Sequence, residues 1–239
     1  MTVDDNAGPD RLRRLLQTPG PTRKQQFVYR IARDLVVGFS RLYFRASYEG
    51  LERVPTTGAF ILSPVHRSNV DTLVAAGVTK RRLRFLGKEA MWKYRLPGRL
   101  FDALGGICVH RGTTDRESMR LCIEALEGGE PVVVYPEGTR REGPIVAEMF
   151  EGAAYMATKL GIPIVPVGIG GSHRAMGRGH RFPRPKKIAI IVGEPLQPTR
   201  AAAGERVGRR PTRELHDRLK LELQRLYNEA QQRAGSPNP

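Results

Sequence analysis

His66 and Asp71, in the run Val65-His66-Arg67-Ser68-Asn69-Val70-Asp71, are the first residues whose types and spacing could do chemistry. An imidazole with one nitrogen held by a carboxylate presents the other as a base that can take a proton from a hydroxyl. Residues at this separation do not share a face of a continuous helix. They meet if His66 lies in a loop and a helix starts at Ser68 or Asn69, with Asp71 in its first turn. Ser68-x-x-Asp71 has the form of a capping box, which suits such a start. The plainer alternative is a helix cap at Asp71 beside a loop histidine.

Two more blocks each bring an arginine to the end of an apolar run. Gly105-Gly106-Ile107-Cys108-Val109-His110-Arg111 delivers Arg111, and Tyr135-Pro136-Glu137-Gly138-Thr139-Arg140 delivers Arg140 through a glycine turn. Guanidinium groups grip phosphate oxygens bidentately, so two of them beside a base would make a phosphate clamp. Gly138 would let the backbone come close to a ligand. Alternatively each arginine pairs with a local acid such as Glu137 or Asp115. A fourth block, Gly161-Ile162-Pro163-Ile164-Val165-Pro166-Val167, reads as a buried strand with two prolines. Proline costs a ladder hydrogen bond, so this strand is expected near a sheet edge or bordering a cavity.

The elements that must position these residues follow from apolar patterning. Short apolar runs at 59–63, 83–86, 106–109, 132–135, 162–167 and 188–192 alternate with helical segments at 69–78, 89–103, 115–127 and 146–160. That alternation predicts an α/β domain with a mainly parallel central sheet flanked by helices. Such sheets carry their sites at the carboxyl ends of the strands. A last helix is expected from Thr212, a candidate N-cap, to about residue 232, with Leu215, Leu219, Leu223 and Leu226 forming one stripe. Near the start, residues 26–45 place Phe27, Ile31, Leu35, Phe39, Leu42 and Tyr43 at helical spacing, with Val28 and Val36 widening the stripe. Arginines interrupt the run. Such a helix lies in a membrane interface, or packs its stripe on the protein's own core. The expected division is a polar segment 1–25, an amphipathic interface helix 26–46, a main domain 47–200, and a C-terminal helix and tail 201–239.

The chain of 239 residues carries 40 Lys+Arg against 24 Asp+Glu, a net charge of +16. An anionic partner is implied: a nucleic acid, an acidic membrane surface or a phosphorylated substrate. Residues 80–99 hold eight basic residues against Glu89 alone, and residues 174–187 hold six with no acid. The second block is broken by glycine and proline and carries one aromatic, Phe182, which differs from the basic, aromatic-laced stripe of a nucleic-acid module. It is either a solvated loop or a rim that meets head groups or a membrane. Two cysteines, Cys108 and Cys122, exclude a disulfide scaffold and a four-cysteine zinc site. Neither sits beside a plausible base, and both read as buried apolar residues. The first residues lack the apolar core of a secretory signal, and no apolar run is long enough for a transmembrane helix.

Taken together and in order, the four blocks resemble the glycerolipid acyltransferases of the 1-acylglycerol-3-phosphate acyltransferase type. The H-x4-D block is His66 to Asp71, the G-x-I-x-V-x-R block is Gly105 to Arg111, the E-G-T-R block is Glu137 to Arg140, and the V-P-V block is Val165 to Val167. Lys88 matches a lysine the family places before the second block. The chain departs from the family pattern at Glu151, where the family is often basic, and at His110, often aspartate.

The resemblance implies an α/β acyltransferase domain that moves a fatty acyl group from a thioester, acyl-CoA or acyl carrier protein, to the free hydroxyl of a lysophosphatidate, giving phosphatidate. His66 would be the general base and Asp71 its orienting partner. Lys88, Arg111, Glu137, Gly138, Thr139 and Arg140 would bind the substrate phosphate, and Pro166 would line the acyl or acceptor pocket. No cofactor and no metal are implied, nor is nucleic acid. The protein would work as a peripheral or monotopic protein on an anionic membrane surface, at the cytoplasmic face of the cell membrane. A related acceptor is the alternative: glycerol-3-phosphate, another lysophospholipid or a lyso-aminolipid. A non-catalytic basic protein that binds membrane or nucleic acid would explain the charge but not the motifs.

Overall fold

The computed structural model describes residues 23–88, 98, 101, 104–109, 115–146, 148–199 and 208–238. Their strands are β1 (Ser47–Glu49), β2 (Ile61–Pro64), β3 (Arg84–Lys88), β4 (Gly106–Val109), β5 (Val132–Val133), β6 (Ile164–Gly170) and β7 (Ala189–Val192). The helices are α1 (Arg23–Tyr43), α2 (Asp71–Ala75), α3 (Asp115–Glu127), α4 (Gly152–Leu160), α5 (Ser172–Met176) and α6 (Arg209–Arg233). The strands form one seven-stranded sheet in the order β1-β7-β6-β2-β5-β3-β4. Every pairing is parallel except β6 with β7. The expected mainly parallel α/β sheet is what forms. The helix expected over 89–103 lies mostly outside the described residues.

Three parallel strands, β2, β5 and β6, form a buried centre whose apolar side chains include Ile61, Leu62, Val132, Ile164 and Val165. Burial on both faces explains why these segments read as continuous apolar runs rather than alternating ones. β6 is fully buried between β7 and β2, third in the sheet, so of the two expectations, near an edge or bordering a cavity, a place at the edge itself is corrected. Its prolines cost little for a local reason. Ile164 exchanges hydrogen bonds with Leu196, and the pairing with β7 starts at Val167. Pro166 falls in the gap between these two pairings, where only its carbonyl is engaged, by Gly193 N.

The C-terminal helix packs on β6 at backbone distance. A Cβ on Gly168 would stand 2.3 Å from the Leu226 carbonyl oxygen, and one on Gly170 would stand 2.1 Å from that of Ala230. Leu215, Leu219, Leu223 and Leu226 are all buried, as their spacing predicts. Thr212 is not the N-cap. The helix starts after Gly208, and the Thr212 hydroxyl donates back to the Gly208 carbonyl at 3.0 Å. The helix expected from 146 begins only at Gly152, because donors before it are used elsewhere: Val146 N by Gln224 Oε1 and Phe150 N by the Pro136 carbonyl.

Helix α1 is built inside out. Its core-facing side is Tyr29, Arg33, Val37, Ser40 and Phe44. The Tyr29 hydroxyl donates to the Arg81 carbonyl (2.9 Å), and Arg33 Nε donates to the carbonyls of Thr79 (3.0 Å) and Ala76, just past α2. The apolar stripe points away from the protein: Phe27, Val28, Ile31, Leu35, Phe39 and Leu42 are all exposed, Leu42 by 85%. Of the two placements open from the pattern, only Tyr43 at the end of the stripe packs partly on the chain's own core, and the rest of the stripe faces outward. No described helix is long and apolar enough to cross a membrane.

Candidate active site

The chain leaves β2 at Pro64 and loops through His66 into α2, which begins at Asp71. This loop sits at the carboxyl end of a central parallel strand. His66 Nδ1 lies 3.0 Å from Asp71 Oδ2. The same oxygen accepts the backbone N–H groups of Arg67 and Ser68, each at 2.6 Å. Asp71 therefore reaches back over the loop as a capping-box acid does, and Ser68 Oγ accepts the Val70 N–H in return. The carboxylate is fully buried while the His66 side chain is 18% exposed. With Nδ1–H directed at Asp71, Nε2 is left as the nitrogen that can take a proton.

The ring of Tyr135 stacks on His66, with centroids 4.1 Å apart and planes 26° from parallel. The Tyr135 hydroxyl is paired with Thr72 Oγ1 at 3.1 Å. Burial, and next the charge of Asp71, push its pKa up, so Tyr135 is a neutral wall for the imidazole.

Beneath the histidine lies an ion pair that sequence reasoning missed. Arg67 Nη1 lies 2.7 Å from both oxygens of Glu137, and their side chains are 1% and 0% exposed. Glu137 Oε2 also accepts the His66 backbone N–H at 3.1 Å. Arg67 Nη2 donates to the Ile145 carbonyl, and its guanidinium lies 4.8 Å from the centre of the Tyr227 ring on α6. Glu137, expected among the phosphate-binding residues, instead turns inward to hold the histidine loop. A usable signal was present: an arginine beside a motif histidine, with a glutamate in a strand-end motif.

The other expected site residues divide. Gly138 adopts a left-handed turn at φ 65°, and a Cβ there would stand 2.6 Å from the Phe150 ring, so a side chain lies where a ligand was expected to approach. Thr139 is exposed and Arg140 half-buried. Arg141 N donates to the His66 carbonyl at 2.9 Å, which ties the turn carrying Arg140 to the histidine loop. Arg140 has no ion-pair partner among the described residues, so it does not pair with Glu137. Lys88 ends β3, at the same end of the sheet as His66. Arg111 lies outside the described residues. Pro166 is buried within the sheet, its ring beside Gly193, rather than at an open mouth.

Three arginines of the first basic block, Arg81, Arg82 and Arg84, have structural roles. Arg81 donates to the carbonyls of Gly58 (2.5 Å) and Gly129 (3.0 Å), while Arg82 and Arg84 both pair with Glu130. These groups gather where β3 and β5 begin, at the end of the sheet away from His66. Cys122 is buried on α3, and burial pushes its thiol up to about 12. A cavity of about 370 Å³ opens behind Arg67, lined also by Glu142, His173, Arg178, Tyr227 and Asn238. It touches neither His66 nor Asp71. Among the described residues no cluster of His, Cys, Asp and Glu could hold a metal ion.

The chain resembles known proteins in sequence and in fold. The family model described as Acyltransferase matches residues 45–170, the stretch from β1 through β6 that holds His66, Asp71 and the Glu137–Arg140 turn. The 1-acyl-sn-glycerol-3-phosphate acyltransferase of Pseudomonas aeruginosa is 27% identical over 82% of this chain and 75% of its own length. That of Bacillus subtilis is 24% identical over 61% of this chain and 70% of its own. The chloroplastic enzyme of that name from Arabidopsis thaliana is 25% identical over 66% of this chain, which spans only 46% of the relative. The chain thus spans about half the length of several plant and algal relatives it matches. The fold is shared with the crystal structure of the 1-acyl-sn-glycerophosphate (LPA) acyltransferase PlsC from Thermotoga maritima. That likeness has a TM-score of 0.70 and 23% identity, over 90% of this chain and 86% of the other. Since the family model spans more than half of the chain and takes in both the histidine loop and the arginine turn, the chain belongs to the acyltransferase family.

Proposed function

We propose that this protein transfers a fatty acyl group from an acyl thioester, acyl-CoA in the first instance, to the free hydroxyl of 1-acylglycerol-3-phosphate, giving phosphatidate. The observation that carries the reading is the 3.0 Å contact between His66 Nδ1 and Asp71 Oδ2, with Nε2 left for the acceptor. Nε2 takes the hydroxyl proton as the acceptor oxygen attacks the thioester carbonyl. A C–O bond forms, the C–S bond breaks, and the departing thiolate recovers the proton from the imidazolium. Asp71 holds the ring and balances the charge it gains. The neutral, buried thiol of Cys122 offers no acyl-enzyme route. Arg140, with Arg111 and Lys88, takes the acceptor phosphate. No cofactor or metal enters the reaction.

The outward apolar stripe of α1 supports a working position on the membrane surface, where lysolipid and donor meet, and the face we propose is the cytoplasmic one. The test is thioester-dependent acylation of lysophosphatidate by the wild type and by His66→Ala. Loss of at least about a hundredfold is expected on removing a general base. Full activity in the variant would exclude His66 from the chemistry. Acyl-CoA and acyl carrier protein donors, and acceptors with and without phosphate, fix the substrate pair in the same assay.

A further inference from the structure

The basic segment after α5 is tied to the end of α1 and to the two residues that follow it. The Tyr43 hydroxyl, at the end of α1, donates to the Pro183 carbonyl at 3.0 Å, and Arg45 Nη2 donates to that of Pro185 at 3.2 Å. Ile188 N donates to the Phe44 carbonyl. The segment is braced from within, Arg184 N donating to the Ala175 carbonyl and Lys186 N to that of Arg184, both at 2.8 Å. It is therefore held at fixed places rather than only tethered at its ends.

The apolar stripe continues into this segment. The rings of Phe39 and Tyr43 stack with centroids 5.1 Å apart, and Tyr43 bonds the carbonyl next to Phe182. Phe182 is 78% exposed. Arg181, Arg184, Lys186 and Lys187 around it are exposed, and none has an ion-pair partner among the described residues. An exposed aromatic ring among unpaired cations, joined to an exposed apolar helix face, is complementary to a surface that is apolar below and anionic above. A membrane with acidic head groups has that layering, whereas a nucleic acid or a soluble anion offers nothing to the apolar stripe.

We propose that residues 181–187 and the end of α1 form one surface that reads the charge of the membrane. Phe182 enters the acyl boundary, while Arg181, Arg184, Lys186 and Lys187 meet head-group phosphates. This rests on the membrane-surface reading above and adds to it a preference for anionic lipid, set by a segment far along the chain from α1.

The experiment is co-sedimentation of the full chain with vesicles of phosphatidylcholine alone and with vesicles rich in phosphatidylglycerol. Lys186→Gln/Lys187→Gln should weaken binding to the anionic vesicles by roughly 25-fold, at about fivefold for each cation removed, and leave binding to neutral vesicles within about twofold. Phe182→Ser should weaken both by about tenfold, the lower end for burying an aromatic side chain. Leu35→Ser, on α1 alone, should weaken both without changing the ratio between them. All of these side chains are exposed, so the fold tolerates the changes, and acylation of a short-chain, micelle-free acceptor should be unchanged. A double-lysine variant that still prefers anionic vesicles as the wild type does would overturn this inference and leave the membrane reading standing. A wild-type chain that sediments with neither vesicle would overturn both.

Discussion

Arg67 and Glu137 face each other at 2.7 Å in the interior, with the backbone N–H of His66 on the same carboxylate. The pair joins the loop after β2 to the turn after β5, so the first and third motifs act as one unit. Removing one partner strands a buried charge, which typically costs 3–5 kcal/mol, whereas replacing both by apolar residues of similar volume costs far less. Glu137→Gln should therefore lower unfolding free energy by about 3 kcal/mol, and Arg67→Met/Glu137→Leu by clearly less than the sum of its single changes. Urea unfolding of Glu137→Gln and of the four proteins in the Arg67→Met/Glu137→Leu cycle checks both.

Asp71→Asn tests the orientation of the imidazole. The carboxylate oxygen facing Nδ1 also holds two backbone N–H groups, so an amide there loses the charge that fixes the tautomer. The turnover number should fall about 10²- to 10⁴-fold with KM for the acceptor little changed. A variant whose loss lies mainly in KM would place Asp71 in binding instead.

Tyr227 reaches the site from α6, outside the span of the family model. Its ring covers the Arg67 guanidinium, and its hydroxyl donates to the Gly143 carbonyl at 3.4 Å. Tyr227→Phe should stay within about 1 kcal/mol of the wild type, while Tyr227→Ala should cost about 3–5 kcal/mol through the lost ring and the cavity behind it. Thermal melts distinguish the two.

Gly170→Ala should be among the most damaging single-methyl additions. The new Cβ would meet the backbone of Ala230 at 2.1 Å, and a packed helix cannot withdraw from one point without lifting from the sheet. A loss of about 3 kcal/mol or complete failure to fold is expected, measured by denaturant midpoint.

Alkaline stability has a defined sign. Burial pushes both Tyr48 and Cys122 up to about 12, from ordinary values of 10.0 and 9.0. Each stays protonated in the fold where the unfolded chain ionises, so the stabilisation is whole below about pH 9 and is lost as pH rises toward 12. Unfolding midpoints against pH should fall across that window. Tyr48→Phe should flatten the fall, although it also gives up the hydrogen bond to the Val74 carbonyl.

Sequence alone determined what depends on neighbours along the chain. The alternation of apolar runs with helical segments gave a mainly parallel α/β sheet. The contact of His66 with Asp71 could be foreseen because a loop and one helix start close so short a separation. The order of the four motif blocks carried the family resemblance. Tertiary structure decided what depends on distant segments. An arginine at position 67 reads as a surface group until β5 brings Glu137 beside it and α6 brings Tyr227 over it, since only a nonlocal partner and full desolvation distinguish a buried guanidinium from an exposed one. Both faces of α1 could pack, and the outcome turned on Tyr29 and Arg33 finding backbone carbonyls in the 76–81 segment, which left the apolar stripe outside. Pro166 signalled an edge because a missing N–H normally costs a ladder bond. It stands in a central strand because the neighbouring chain between Gly193 and Leu196 leaves a gap at that one position.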